Sequence, residues 1–301
     1  MLTSTAENYL PATILIRKYS QYRIIKIQES FLMSSDLQTV LDKAIEVVKE
    51  AGAFQMKHFR SMPASAHDNK DIREMVSFVD VESEKILKDG LMPLVPEAGF
   101  YGEESGKTGS QTYCWVVDPL DGTTNYLSGM DQFVVSAALV EEGVTKLGII
   151  LKPANGELFY AVQGGGLFHN GEKLSEVSKT LTSKEALYVT GFPYRSEDVF
   201  EAFFKCAAEV LLEGRGLRRF GSAAMDLCMV AAGWMQGFWE SDLQPYDIAC
   251  GMLFLQETGC LVTNEKGGPY DIFKDRMMVA ALPGVQPRLL EIVHKHYGDL
   301  S

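Results

Sequence analysis

The chain has 301 residues, of which 46% are hydrophobic and 23% are charged, an ordinary globular composition with enough apolar material for a substantial core. Lysine and arginine total 28 against 40 aspartate and glutamate residues, so the formal charge is −12. This balance argues against a long nucleic-acid surface, whose affinity rests on neutralising phosphates. It favours carboxylates that meet an anionic substrate through metal cations.

The cysteines are odd in number and widely spread, without a CxxC pair or a Cys/His cluster at zinc-ligand spacing. This pattern predicts buried free thiols in a reducing cytoplasm. The five are Cys114, Cys206, Cys228, Cys250 and Cys260. No apolar run reaches the ~18 residues needed to span a bilayer, so we expect no membrane anchor.

Residues 1–32 mix apolar, tyrosine and basic residues without the apolar core or the cleavage site of a signal peptide. We treat them as an N-terminal extension, either a mis-assigned start or a peripheral appendage, and expect folding to begin near Met33. From Leu37 apolar residues recur every three or four positions, which predicts a first helix capped by Ser35 or Asp36.

The rest of the N-terminal half, residues 33–184, predicts an α+β arrangement. The polar stretch from Ala64 to Met75 predicts an exposed loop or hairpin, and Val76 to Val79 then leads into a second helix with Asp80 at its beginning. Apolar segments that predict strands are Trp115–Val117, Phe133–Val140, Leu147–Leu151 and Leu158–Val162.

In the C-terminal half, residues 185–301, helical and strand patterns alternate, which predicts an α/β arrangement. The predicted strands are Leu187–Val189, Gly237–Glu240 and Met278–Leu282. The predicted helices are Phe200–Leu212, Ala223–Trp234, Asp247–Thr258 and Arg288–Tyr297.

The stretch Trp115–Asn125 joins an apolar strand to two acids and a glycine turn. Asp118 and Asp121 would repel each other at this position without a cation. The proline after Asp118 fixes the backbone, so both carboxylates and the Leu120 carbonyl can converge on one hard cation such as Mg2+. Turn chemistry with Gly122 is an alternative explanation for the second acid.

Other acids allow two interpretations each. Glu103 and Glu104 lie in a glycine-flanked loop, which suits metal ligation, although Glu104 is equally explained as a solvated side chain. Asp247 heads an apolar helix, where the helix dipole favours either a cap or a ligand. Asp80 reads most simply as a helix cap, and Glu240 as a residue at the rim of a strand.

Two motifs together resemble the inositol monophosphatase family, within the lithium-sensitive phosphatase superfamily. Asp118–Asn125, Asp-Pro-Leu-Asp-Gly-Thr-Thr-Asn, is similar to the first family motif, and Tyr246–Gly251, Tyr-Asp-Ile-Ala-Cys-Gly, to the second. Gly102–Ser105 and Gly221–Ala223 follow the family's order and spacing, and the resemblance covers nearly everything from Met33 onward. Departures from the usual family residues are mild and are Tyr126 for Phe, Tyr246 for Trp and Cys250 for Ala.

The resemblance implies a layered α-β-α-β-α sandwich of the inositol monophosphatase/fructose-1,6-bisphosphatase type, paired as a homodimer, with two to three Mg2+ ions per active site. Glu103, Asp118 and the Leu120 carbonyl would bind a first Mg2+. Asp118, Asp121 and Asp247 would bind a second, and a third, looser ion would lie near Glu103. Each of these ligands is present in the chain.

The implied reaction is direct attack on a phosphomonoester by a metal-activated water, without a covalent enzyme intermediate. Thr123 and Glu103 would position and deprotonate that water, and Asp80 would hydrogen-bond to the Thr123 hydroxyl. The residues implied in substrate binding, through phosphate or alcohol contacts, are Asp121, Gly122, Thr123, Gly221, Ser222, Ala223 and Glu240.

The leading hypothesis is hydrolysis of inositol monophosphate or a similar sugar or polyol phosphate. The same chemistry on fructose-1,6-bisphosphate, NADP or histidinol phosphate is the alternative, because relatives of the family share the metal core. A hypothesis of another class is a mainly non-catalytic role with transcription or RNA-processing machinery. That role predicts that a charge reversal near Arg218 and Arg219 matters more in the cell than alanine at Asp121.

Overall fold

Two long helices open the part of the chain that the computed structural model describes, which comprises residues 34–61, 69–194 and 196–298. Helix α1 spans Ser34–His58, which confirms the first predicted helix, and α2 spans Asn69–Leu91. The prediction of a loop is wrong for Asn69–Met75, because lysine, arginine, glutamate and methionine are good helix formers and polarity alone does not mark a loop. Residues 64–68 lie outside the described residues.

Asp80 lies inside α2, eleven residues after the helix begins at Asn69, so its interpretation as a helix cap is wrong. The pattern that misplaced it was the short apolar run Val76–Val79, which continues the helix rather than preceding it. The consequence is that Asp80 is presented from the middle of a rigid element and is buried.

The first sheet has the strand order β2-β1-β3-β4-β5-β6-β7-β8, in which β1 and β3 are parallel and the other neighbours antiparallel. Its strands are β1 Gly99–Gly102, β2 Gly106–Thr108, β3 Tyr113–Asp121, β4 Val134–Glu141, β5 Val144–Lys152, β6 Glu157–Val162, β7 Gly166–His169 and β8 Glu172–Lys173. Nearly every residue of β3 and β4 is buried, which is typical of a strand covered by helices on both faces.

The second sheet has the strand order β10-β9-β11-β13-β12, with β9, β10 and β11 mutually parallel and β13 antiparallel to both of its neighbours. Its strands are β9 Leu187–Thr190, β10 Gly216–Arg218, β11 Gly237–Ser241, β12 Leu261–Thr263 and β13 Met277–Ala281. The remaining helices are α3 Thr123–Leu127, α4 Phe200–Glu213, α5 Ala223–Ala231, α6 Pro245–Thr258 and α7 Gln286–Tyr297.

The elements stack in five layers, which is the predicted α-β-α-β-α sandwich. Helices α1 and α2 cover the outer face of the first sheet, α5 and α6 lie between the sheets, and α4 and α7 cover the outer face of the second sheet. The central pair is close packed, because a Cβ added at Gly251 of α6 would lie 2.4 Å from the Leu227 Cδ1 of α5. Residues Leu37–Ser301 form one compact unit.

The cysteine thiols were predicted from the sequence to be buried. All five cysteines are free and buried, so the prediction of buried thiols is confirmed. Within the described ranges, none of the helices combines the length and the apolar character that crossing a membrane requires.

Candidate active site

The end of β3 carries the first pair of acids. The pairing of β3 with β4 is irregular between Asp118 and Asp121, where the intervening proline has no N–H to donate to the ladder. The strand continues to Asp121, beyond the predicted segment Trp115–Val117. Asp118 Oδ1 accepts the Leu120 N–H at 2.9 Å, which fixes the orientation of the first carboxylate.

Asp118, Asp121 and Asp247 form an acidic cluster, with one carboxylate oxygen of each lying within 4.8 Å of the others. Asp118 is buried, and burial followed by the charges of Glu103, Asp121 and Asp247 raises its carboxyl pKa well above the usual range. Packed carboxylates of this kind repel one another unless protons or a cation compensate them. An all-oxygen donor set fits a hard divalent ion such as Mg2+.

Asp121 is held by the N-terminus of α5. Its Oδ2 accepts the Ser222 hydroxyl at 2.7 Å and the Ala224 N–H at 2.8 Å. The Ser222 hydroxyl in turn accepts the Met225 N–H at 3.3 Å, which makes it the N-cap of α5. The Gly221–Ala223 segment singled out in the sequence thus lies directly against the first motif.

Asp247 is both a helix-capping residue and a member of the acidic cluster. Helix α6 begins at Pro245, and Asp247 Oδ2 accepts the Gln244 N–H at 2.8 Å in a capping box. The helix therefore starts two residues before its predicted start. The two interpretations of Asp247 do not compete, because the same carboxylate caps the helix and belongs to the acidic cluster.

The loop after β1 is anchored by a residue that sequence reasoning missed. Glu84, which is buried on α2, accepts the N–H groups of Glu104 and Ser105 at 2.8 and 2.9 Å. Glu103 itself donates its N–H to the Val117 carbonyl at 3.2 Å, next to the cluster. The available signal was the four-residue spacing from Asp80 to Glu84, which places both acids on one face of a helix.

Asp80 and Thr123 are not joined as the resemblance implied. The Thr123 hydroxyl donates to the Leu120 carbonyl oxygen at 3.0 Å, and no hydrogen bond to Asp80 is found among the described residues. A threonine at the first turn of a helix commonly bonds back to a nearby carbonyl, which accounts for the difference. Burial, followed by the charges of Glu104 and Glu103, raises the pKa of Asp80 to about 8.

Two adjoining cavities open over the acidic cluster. The larger, of about 510 Å³, is lined by Glu103, Asp118, Leu120, Asp121, Gly122, Thr123, Thr124, Tyr194, Arg219, Gly221 and Asp247. The second, of about 170 Å³, is lined among others by Gly191, Phe192, Ser222, Ala223, Asp226 and Glu240. Five residues line both cavities, namely Asp121, Tyr194, Arg219, Gly221 and Asp247. The residues implied in metal binding thus line the first cavity, and most of those implied in alcohol binding line the second.

Glu240 reaches the second cavity from β11. Burial, followed by the charges of Asp247 and Asp121, raises its pKa to about 8. Its carboxylate lies against Gly191, where an added Cβ would fall 1.9 Å from Oε1. A glycine is needed there so that the acid can lie flat against the neighbouring backbone, which the sequence alone does not reveal.

The glycine turn after β3 is sterically demanding. Gly122 has a φ of +99°, and a Cβ there would lie 2.7 Å from the Gln132 carbonyl oxygen. Asn125, three residues on, donates its Nδ2 to the carbonyls of Gln132 and Phe220, both at 2.7 Å. Asn125 therefore ties the first motif to the segment before β4 and to the segment between β10 and α5.

The three departures from the family pattern are accommodated by packing. The Tyr126 hydroxyl donates to the Gln55 carbonyl of α1 at 2.8 Å. Tyr246 packs edge-to-face against Tyr101, with ring centroids 5.8 Å apart. The Cys250 thiol is buried on α6 and accepts the Ser136 hydroxyl at 3.3 Å. None of these three contacts displaces a carboxylate of the cluster.

Comparison with known proteins gives a consistent match. A model described as the inositol monophosphatase family matches residues 36–297. The chain is 32% identical over 250 residues to an inositol-1-monophosphatase of Caulobacter vibrioides, covering 82% of this chain and 98% of the relative. It is 32% identical over 259 residues to a protein of Vibrio cholerae named Nus factor SuhB, covering 85% of this chain and 96% of the relative. The structure of an inositol monophosphatase from Anabaena superposes with a TM-score of 0.76 at 32% identity, covering 86% of this chain and 97% of that one.

Proposed function

Because this chain belongs to the inositol monophosphatase family, we propose that it is a Mg2+-dependent phosphomonoesterase that acts on inositol monophosphate or a similar sugar or polyol phosphate. The observation that carries the proposal is the acidic cluster of Asp118, Asp121 and Asp247 at the junction of two cavities. The larger cavity contains the oxygen ligands of the acidic cluster beside the Gly122 turn. The smaller cavity contains the Glu240 carboxyl and the Ser222 hydroxyl, which can bind a polyol.

The residues that would hold the metal are those of the larger cavity. Glu103, Asp118 and the Leu120 carbonyl are proposed for one Mg2+, and Asp118, Asp121 and Asp247 for another, with a looser third ion near Glu103. The raised pKa of Asp118 supports this assignment, since the protein alone does not neutralise the carboxylates around it. When bound there, Mg2+ supplies Lewis acidity that promotes ionisation of a water and stabilises charge on the phosphoryl oxygens.

The chain's own groups would orient the reactants. Thr123 and Glu103 are proposed to position the attacking water and to accept its proton, and the N–H groups of Gly122 and Thr123 to bind phosphate oxygens. Asp121 is held in place by two hydrogen bonds from the start of α5. Such support keeps a ligating carboxylate in one orientation.

Glu240, Ser222 and Ala223 are proposed to bind the alcohol part of the substrate. The Glu240 carboxyl group lines the second cavity from β11, where its two oxygens can form hydrogen bonds with neighbouring polyol hydroxyls. The family resemblance further supports inhibition by Li+, a homodimer and a cytoplasmic location as parts of the proposal.

The experiment is phosphate release from inositol-1-phosphate, fructose-1,6-bisphosphate, NADP and histidinol phosphate, each with Mg2+ and with EDTA. We expect release from inositol-1-phosphate with Mg2+ and none with EDTA. A stronger preference for another member of the panel would keep the chemistry and change the substrate. Folded, Mg2+-loaded protein that hydrolyses none of the four would contradict the proposal.

A second candidate function is favoured by the relatives named Nus factors. It is a mainly non-catalytic role in which the chain binds transcription or RNA-processing machinery. In a strain that depends on this protein, Asp121→Ala should then preserve the phenotype, whereas Arg218→Glu should abolish it. The phosphatase proposal predicts the reverse result for both variants.

A further inference from the structure

Arg219 lies at the boundary of the two cavities and lines both of them. Its guanidinium carbon lies 5.4 Å from the ring centroid of Phe192 and 5.2 Å from that of Tyr194. On another side it lies against Gly221, where an added Cβ would fall 2.1 Å from Arg219 Nη1. The exposed Arg219 side chain thus packs against two aromatic rings and a glycine.

The Arg219 guanidinium has no hydrogen-bond acceptor among the described residues. Among residues 34–61, 69–194 and 196–298, no hydrogen bond and no carboxylate within 4.0 Å engages its guanidinium, and it is the one cationic side chain that lines either cavity. The neighbouring Arg218 differs, because it donates to the Leu217 carbonyl at 3.2 Å and lines neither cavity. Arg219 thus combines two aromatic contacts with a guanidinium whose donors are not used by the described residues.

Arg219 interacts electrostatically with two acids that line the second cavity. It acts to lower the pKa values of Glu240 and Asp226, two acids whose pKa values burial raises. The guanidinium nevertheless forms no ion pair with either acid. A planar guanidinium held by aromatic rings is suited to a bidentate contact with a phosphate or a carboxylate.

We propose that Arg219 is a specificity-determining residue that binds a second anionic group, a phosphate or a carboxylate, on the alcohol part of the substrate. This inference rests on the proposed function, because it takes the acidic cluster as the place where the scissile phosphate is bound. Phe192 and Tyr194 contact the guanidinium where the two cavities meet, so the second anion is bound at that junction, beside the polyol.

The test compares matched substrate pairs that differ in the second anion. Fructose-1,6-bisphosphate is paired with fructose-1-phosphate, and 6-phosphogluconate with glucitol-6-phosphate. The variants are Arg219→Gln and Arg219→Lys, with Arg218→Gln as the matched control. For each, kcat and KM are measured with Mg2+, and thermal melting confirms that the fold is retained.

We expect the wild type to favour the member with the second anion in at least one pair. Arg219→Gln should raise KM for that member about tenfold or more and change KM for the member without the second anion by less than about twofold. Arg219→Lys should retain part of the preference, and Arg218→Gln all of it. A preference confined to the first pair identifies a phosphate as the second group, and one confined to the second pair identifies a carboxylate.

Two outcomes would overturn the inference while leaving the phosphatase intact. One is hydrolysis with no preference for the member that carries the second anion in either pair. The other is an equal loss on both members in Arg219→Gln, which would place Arg219 at the scissile phosphate. Absence of hydrolysis for every compound, inositol-1-phosphate included, would be a failure of the proposed function itself.

Discussion

The Ser222 hydroxyl donates to the Asp121 carboxylate at 2.7 Å, across 101 positions of sequence. The same hydroxyl caps α5 by accepting the Met225 N–H. One side chain therefore fixes the start of a central helix and the orientation of an acid in the cluster. The first sheet supplies that acid, and the helical layer between the sheets supplies its support.

Replacing Ser222 by Ala should affect both stability and metal dependence. Loss of the N-cap is expected to lower the free energy of unfolding by about 1 kcal/mol. Loss of the bond to Asp121 is expected to raise the Mg2+ concentration needed for half-maximal activity by about 10-fold or more. Urea denaturation and a Mg2+ titration of phosphate release measure the two effects. Ser222→Thr keeps the hydroxyl and should lie near the wild type, and an unchanged Mg2+ requirement in Ser222→Ala would refute the positioning role.

Glu84 should matter for activity although it lies outside the cluster. In Glu84→Gln the single amide oxygen can replace only one of the two carboxylate oxygens that accept the N–H groups of Glu104 and Ser105, which leaves a part-buried donor without this partner at a cost of about 1 kcal/mol. The neighbouring Glu103 should then lose its position, and kcat should fall with the melting temperature. Glu82→Gln, on the same helix and partly exposed, is the control. A variant that is less stable but fully active would limit Glu84 to a structural role.

The metal-free protein should lose stability as the pH rises. Asp80 and Glu240 have pKa values of about 8, above their ordinary values of 3.8 and 4.5. Between about pH 4 and pH 8 the folded state therefore holds protons that the unfolded state has released, so the free energy of unfolding falls across this window. Mg2+ binds ionised carboxylates, so its stabilising effect should grow over the same window.

Melting temperatures at several pH values, in EDTA and in saturating Mg2+, test this expectation. We expect the melting temperature in EDTA to decline from pH 5 to pH 8 and the increase caused by Mg2+ to become larger. A melting temperature in EDTA that climbs with pH, or a Mg2+ effect of constant size, would show that these carboxyl groups are not protonated in the folded state.

Local sequence patterns predicted the strand that leads to Asp118 and the helix that carries Asp247. The apolar run before Asp118 and the apolar helix after Asp247 have patterns that depend only on neighbouring residues. The start of α2 was missed because helix-forming charged residues resemble a loop in polarity. Tertiary contacts such as Glu84 with the loop after β1 leave no periodic trace. The family resemblance, rather than periodicity, brought Gly221–Ala223 into the candidate site.

The sequence pattern also could not identify Arg219 as a residue of the site. In the sequence, Arg218 and Arg219 are two adjacent basic residues with nothing to distinguish them. In the structure, Arg219 contacts Phe192 and Tyr194 and lines both cavities, whereas Arg218 donates to the adjacent Leu217 carbonyl. Side-chain direction at the end of β10 decides which guanidinium meets a substrate, and that direction depends on packing.

The most direct test of the metal-dependent phosphatase is the rate of phosphate release from inositol-1-phosphate, at saturating Mg2+, by Asp118→Asn beside the wild type. Asparagine can still accept the Leu120 N–H and cannot ionise beside the other acids of the buried cluster, so the variant should melt at or above the temperature of the wild type in EDTA. Asp89→Asn, at an exposed ion pair with Lys85, is the control and should be fully active. We predict a loss of at least about 100-fold in Asp118→Asn with the fold intact. A folded Asp118→Asn protein that hydrolyses the ester at the wild-type rate would contradict the account.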